Sequence, residues 1–132
     1  MSAKLVPGLL AALVLSCPWA GTGSHTGESR TEVRAPIVRV VLRVAESHPP
    51  QYFADVTSAL PNGCTRFARF SVRREGDGIF VEVFNTAPAD RMVMCTMLYG
   101  EHESAVPLGS DFRPGARYTL DVNGTRQSFV AQ

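Results

Sequence analysis

An immunoglobulin-like antiparallel β-sandwich of seven to eight strands is the fold class this sequence predicts, and three observations predict it. From Pro36 onward, apolar and polar residues alternate in short runs. Turn-forming residues interrupt those runs about every ten positions. No window carries a helical period.

The first run sets Val38, Val40, Leu42 and Val44 in one phase and Arg39 and Arg43 in the other, and His48-Pro49-Pro50 turns the chain. In the second, Tyr52, Ala54, Val56, Ser58 and Leu60 share a face, with Asp55 and Thr57 opposite; Pro61-Asn62-Gly63 closes it. The third, Cys64 to Arg74, holds Phe67 in one phase and Phe70 and Val72 in the other, so a bulge is expected near Ala68. Glu75-Gly76-Asp77-Gly78 reads as a hairpin turn into Ile79, Val81 and Val83. After a loop centred on Pro88-Ala89-Asp90, a fifth run places Val93, Cys95, Met97 and Tyr99 on one face and Met92, Met94 and Thr96 on the other. A weaker strand covers His102 to Val106, ended by Pro107, and Leu108 to Gly115 reads as loop. Tyr118, Leu120 and Val122 then alternate up to Asn123-Gly124, the dipeptide best suited to a type I′ hairpin, and Gln127 to Val130 returns.

The sandwich is therefore assigned to residues 36–132, with two segments before it. Residues 1–17 have the layout of a bacterial lipoprotein signal. A lone Lys4 precedes the uncharged stretch Leu5 to Ser16, and Val14-Leu15-Ser16-Cys17 ends in a cysteine able to take a lipid. The stretch is well short of the ~20 residues a membrane-spanning helix needs. An ordinary cleaved signal, cut after Gly23, is the competing reading, and both export the chain. Residues 18–35, mostly Gly, Ser, Thr, Glu and Arg, read as a flexible tether, because they carry too little apolar surface to offset ordering. The expected location is thus the cell envelope, on the periplasmic or extracellular side, held by a lipid or else secreted.

The three cysteines fit that location. With Cys17 assigned to lipid, Cys64 and Cys95 remain to pair in an oxidising compartment. Such a bridge stabilises a domain of this size by about 3 to 4 kcal/mol in the loop-entropy account. The alternative is a pair of buried thiols acting as small hydrophobes. The formal charge of +1 falls to zero once Lys4 leaves, twelve arginines then facing twelve acidic residues. No electrostatic footprint for nucleic acid or an anionic surface is left, so the expected contact with a membrane is through the lipid alone.

Leu60-Pro61-Asn62-Gly63-Cys64, the later Cys95-Thr96, the Pro-Gly loop and the ending Tyr118 to Gly124 together give the chain from Val38 onward a resemblance. It resembles a group of small exported bacterial domains, often lipoproteins, of uncharacterised function. The resemblance implies a sandwich fold and supplies no catalytic or ligand residues.

The residues themselves point away from catalysis. His48 and His102 are the only histidines of the domain. Glu101 and Glu103 flank His102 but fall on the opposite face of a strand. No Gly-x-Ser-x-Gly elbow, His-Glu-x-x-His pair or phosphate-cradling loop is present. The expectation is a non-enzymatic binding module for an unknown envelope protein, without a cofactor, presenting its end loops: Asn62 and Gly63, Asp90, and Asp111 with Phe112. Blocking an exported hydrolase is one form of this. A different class is periplasmic copper handling, since Met92, Met94, Met97 and His102 supply the thioether and imidazole donors that Cu(I) prefers. Core filling is the competing role for these methionines. Arg66, Arg69, Arg73 and Arg74, interleaved with Phe67 and Phe70, are expected on a solvated face, paired to Glu75, Glu82 or Asp77.

Overall fold

Eight strands build the domain in a computed structural model that describes residue 8 and residues 27–132. They are β1 (Arg30–Arg34), β2 (Ile37–Ala45), β3 (Gln51–Leu60), β4 (Arg66–Glu75), β5 (Gly78–Pro88), β6 (Gly100–Gly109), β7 (Arg117–Val122) and β8 (Thr125–Val130). Cys17, the rest of the expected signal apart from Gly8, and residues 18–26 of the expected tether lie outside the described residues.

The strands form two sheets, β2-β3-β6 and a five-stranded sheet centred on β5, so the fold is the expected immunoglobulin-like sandwich. One edge of β5 pairs with β4 along its length; the other is shared, β7 taking Gly78 to Val81 and β1 taking Phe84 to Pro88. The β5–β7 pairing is parallel and every other pairing is antiparallel.

Asn123 fills the seam where β5 changes partners. Its backbone N–H donates to Val81 O at 3.1 Å, its Nδ2 donates to Ala35 O at 2.9 Å and Val83 O at 2.8 Å, and its Oδ1 accepts from Val83 N at 3.0 Å. The residue sits at φ 49° in the β7–β8 hairpin, the left-handed conformation that asparagine tolerates best among non-glycine residues.

The core lies between the sheets. Ile79, Val81 and Val83 of β5 and Leu120 and Val122 of β7 pack against Ala54 and Val56 of β3 and Val106 of β6, all fully buried. Each of the larger side chains contributes roughly 1.5–3 kcal/mol by leaving water. Asn85 crosses the gap, its Nδ2 donating to Ala59 O of the opposite sheet at 2.9 Å. At the end that carries the β6–β7 loop, Tyr52, Phe112, Tyr118 and Phe129 form an aromatic cluster, and the Arg74 guanidinium lies 4.4 Å from the Phe112 ring centre.

Several sequence expectations are corrected: the parallel β5–β7 pairing departs from the antiparallel sandwich expected, and β6 runs past Pro107 to Gly109, so that Leu108, expected in a loop, is a core residue. Arg30–Arg34, assigned to the tether, forms β1: it pairs with Phe84 to Pro88, and Arg30 bonds Thr86 and Cys64 O. Val38 leaves the inward phase because the register shifts between Ile37 and Arg39; Ile37 takes the inward place. The loop expected to be centred on Pro88-Ala89-Asp90 begins only after Pro88, since β5 runs on to pair with both β1 and β4. Residues 92–99 are not a strand. The bulge at Ala68 is present, with the register shifting between Phe67 and Arg69. Phe70 and Val72 do reach the inner face opposite Val83 and Val81, but β4 is an edge that the smaller sheet leaves partly uncovered. They stay 36% and 38% exposed while Val83 and Val81 are buried.

The outer face of the larger sheet is an arginine–aromatic ladder. Arg69 lies over Phe84 and Arg73 over Phe80, while Arg69 pairs with Glu32, Arg34 with Glu82 and Arg73 with Glu75. These pairs are solvent-accessible and worth under about 1 kcal/mol each.

Candidate functional site

Between β5 and β6 the chain makes an eleven-residue loop, Ala89 to Tyr99, whose apolar side chains face outward. Met92, Met94, Met97 and Leu98 are 86%, 96%, 87% and 72% exposed, with Tyr99 and Val93 also open to solvent. Scattered exposed apolar residues are ordinary, but six within eight positions of one loop concentrate apolar surface of the kind that marks a contact site.

The loop is nevertheless held in place. Asp90 Oδ1 accepts from Met92 N at 2.9 Å, an Asx turn that starts it. Cys95 is bridged to Cys64 with the Cα atoms 5.5 Å apart, so the expected disulfide is formed. Gly63 N donates to Thr96 O at 2.8 Å, and a Cβ at Gly63 would collide with Thr96 Oγ1, so any larger residue there requires the Thr96 side chain to move. The anchor beneath is rigid in turn, since Asn62 Oδ1 accepts from Cys64 N, Thr65 N and Thr65 Oγ1 at 3.0–3.1 Å. At the far end Tyr99 donates its hydroxyl to Glu101 Oε1 at 3.2 Å. Partial shielding from water and that neighbouring carboxylate raise the phenol above its ordinary range, so it stays neutral.

The N-terminal chain enters the domain at this same end. Ala89 N donates to Ser29 O at 2.9 Å, Arg30 stands opposite Pro88, and an Arg30 nitrogen donates to Cys64 O at 2.6 Å.

Of the residues expected on binding loops, Asn62, Gly63 and Asp90 gather at this end as the turn-makers that hold the loop. Asp111 and Phe112 lie at the opposite end, where they have structural roles. Asp111 O accepts from Arg74, and the Phe112 ring packs between Tyr52, Tyr118 and Phe129. Of the residues considered for copper, the methionines stand outward on the loop, while the His102 ring is stacked on Phe67 with centroids 3.9 Å apart. Among the described residues no group of three His, Cys, Asp or Glu side chains converges as metal ligands do. Sequence reasoning noticed these methionines but placed them on a strand. The signal that distinguishes them is an apolar residue in both phases of the run, where a half-buried strand needs polar residues in one.

A second surface is a shallow groove of about 610 Å³ on the outer face of the smaller sheet, lined by Arg39, Asp55, Thr57 and Glu103. Its charges are already matched: Arg39 lies 3.6 Å from Glu103, and Arg43 pairs with Asp55 at 2.8 Å.

Comparison with known proteins bears on the fold. Residues 54–131 match the family model described as the ORF11 beta-sandwich domain. An uncharacterised 10.2 kDa protein in the HgiCIIM 5′ region of Herpetosiphon aurantiacus is 29% identical over 92 residues, covering 70% of this chain and 95% of that protein. Two further 10.2 kDa proteins from the same organism, in the HgiBIM and HgiEIM 5′ regions, are each 30% identical over 82 residues, covering 62% of this chain and 96% of theirs. No solved structure matches the chain.

Proposed function

We propose that this chain, which belongs to the ORF11 beta-sandwich domain family, is an exported, lipid-anchored binding module of the cell envelope. It performs no catalysis and makes contact through the Ala89 to Tyr99 loop. The observation that carries the reading is the outward apolar patch on a loop pinned by a disulfide. Leaving Met94 and Leu98 in water forgoes burial free energy, and holding them there in a fixed frame reduces the ordering cost of binding. Export is supported by the basic start, the short apolar segment ending at Cys17, and the Cys64–Cys95 bridge, which persists in oxidising compartments. In this reading Met92, Met94 and Met97 are contact residues whose flexible thioethers adapt to an apolar surface.

The test is metabolic labelling with a fatty-acid analogue, followed by fractionation. The expected result is label on the wild-type chain in the membrane fraction, and an unlabelled, released protein for Cys17→Ala. Intact full-length protein in the cytosol with free thiols refutes the reading.

A further inference from the structure

We infer that the surface bound by the Ala89 to Tyr99 loop is the lipid bilayer itself, the same bilayer that holds the chain's N-terminal anchor; this rests on the envelope reading above. Three observations converge on it. The first is direction: the point where the N-terminal chain enters the domain, Ser29 and Arg30, touches the start of the loop at Ala89 and its anchor at Cys64. The second is reach. From Cys17 to Ser29 is twelve residues, which at most span about 40 Å, so an acyl group on Cys17 keeps this end of the sandwich within a molecular diameter of the membrane.

The third is chemistry. The loop has the make-up of a shallow interfacial contact: Met92, Met94, Met97 and Leu98 outward, and at its edge Tyr99, an apolar ring whose hydroxyl is held by Glu101. Such rings favour the headgroup level, and apolar side chains beside them sink roughly 5–10 Å into the boundary with the acyl chains. No helix among the described residues is long and apolar enough to cross a membrane. The loop's own charges, Asp90 and Arg91, oppose each other, which makes the attraction apolar and only weakly dependent on salt.

The tether and the loop then act as two membrane signals. The lipid on Cys17 supplies the attachment, and a second contact already held at high local concentration forms without needing much affinity of its own, fixing orientation rather than residence. The sandwich is thereby laid on the membrane in one orientation, with the Phe112 end facing away.

The test uses the full, acylated chain in vesicles of phosphatidylethanolamine with a minor share of phosphatidylglycerol, containing a lipid that carries a photoactivatable carbene precursor on its acyl chain. Peptide mapping should find label on residues 91–99 and none on residues 111–117. With Met94→Asp and Leu98→Asp together, label on the loop should fall about tenfold or more, because a carboxylate is costly in the acyl region, while acylation of Cys17 and sedimentation with vesicles persist. Acylated protein whose loop stays unlabelled, whether bare or covered by a second copy or another protein, overturns this inference alone. Absence of the acyl group in the cell overturns the envelope reading instead.

Discussion

Replacing Asn123 should be strongly destabilising for a residue that is not fully buried, and the cost can be divided between its side chain and its backbone. Asn123→Ala removes one acceptor and two donors from the seam between β7 and β1. Val83 O keeps a partner, because Ala35 N still donates to it at 2.9 Å, but Val83 N and Ala35 O are orphaned. At about 1–3 kcal/mol for each orphaned group, reduced by partial access of water, the side chain accounts for roughly 2–3 kcal/mol. Alanine at φ 49° adds about 1 kcal/mol. Asn123→Gly forgoes the same hydrogen bonds without that backbone strain, so it should be about 1 kcal/mol less damaging. Asn123→Asp turns a carboxylate oxygen toward Ala35 O and Val83 O. It should therefore be at least as damaging as alanine at neutral pH, and less so in acid, where protonation restores a donor. Urea unfolding followed by far-ultraviolet circular dichroism measures this. With a slope near 1.2 kcal/mol/M, 3 kcal/mol lowers the midpoint by about 2.5 M. Losses below about 1 kcal/mol for both alanine and glycine would refute the seam's dependence on this residue. Equal losses for the two would refute the backbone share.

Two other outcomes are expected. Replacing Cys64 and Cys95 together by serine should lower stability by about 3–4 kcal/mol and speed amide exchange in residues 89–99 well before β5, since the bridge constrains the unfolded chain and pins the loop directly. The Arg126 guanidinium and the Gly124 amide hold the Asp121 carboxyl below its ordinary range, and Arg43 does the same for Asp55. A lowered pKa in the folded state contributes stability above the unfolded value, lost as pH falls through the folded one. Stability should therefore decline below about pH 4, and Asp121→Asn should flatten part of that decline in acid unfolding curves.

The sequence was readable where a strand is half buried and its partners lie close along the chain. Ile79, Val81 and Val83 alternate because one face of β5 is core, and the slip in phase between Phe67 and Phe70 is the physical trace of the Ala68 bulge. Asn123-Gly124 was legible as a hairpin but not as a seam, because Val83 and Ala35 reach it only through the fold. β1 was illegible for the same reason: Arg30–Arg34 buries little, and its strand conformation comes from pairing with residues fifty or more positions away. At the candidate site, Asn62 and Asp90 look the same in sequence whether they face a ligand or their own backbone, so that they hold the loop is visible only in the fold. The methionine run mimicked a strand because spacing alone does not reveal that a disulfide and one glycine hold it away from both sheets.

The divided edge of β5 also dictates an order of assembly. Its distal half can be zipped by a segment made earlier, Arg30–Arg34, but its proximal half waits for Thr119 to Val122, some forty residues further on. A growing polypeptide halted near residue 115 therefore carries an apolar strand with bare backbone amides along half of one side, the kind of surface that recruits chaperones or sticks to its neighbours. Closure of that half belongs to β7 and to β8, which pairs with it, and removing residues 119–130 would strip β5 of its partner there rather than trim an edge.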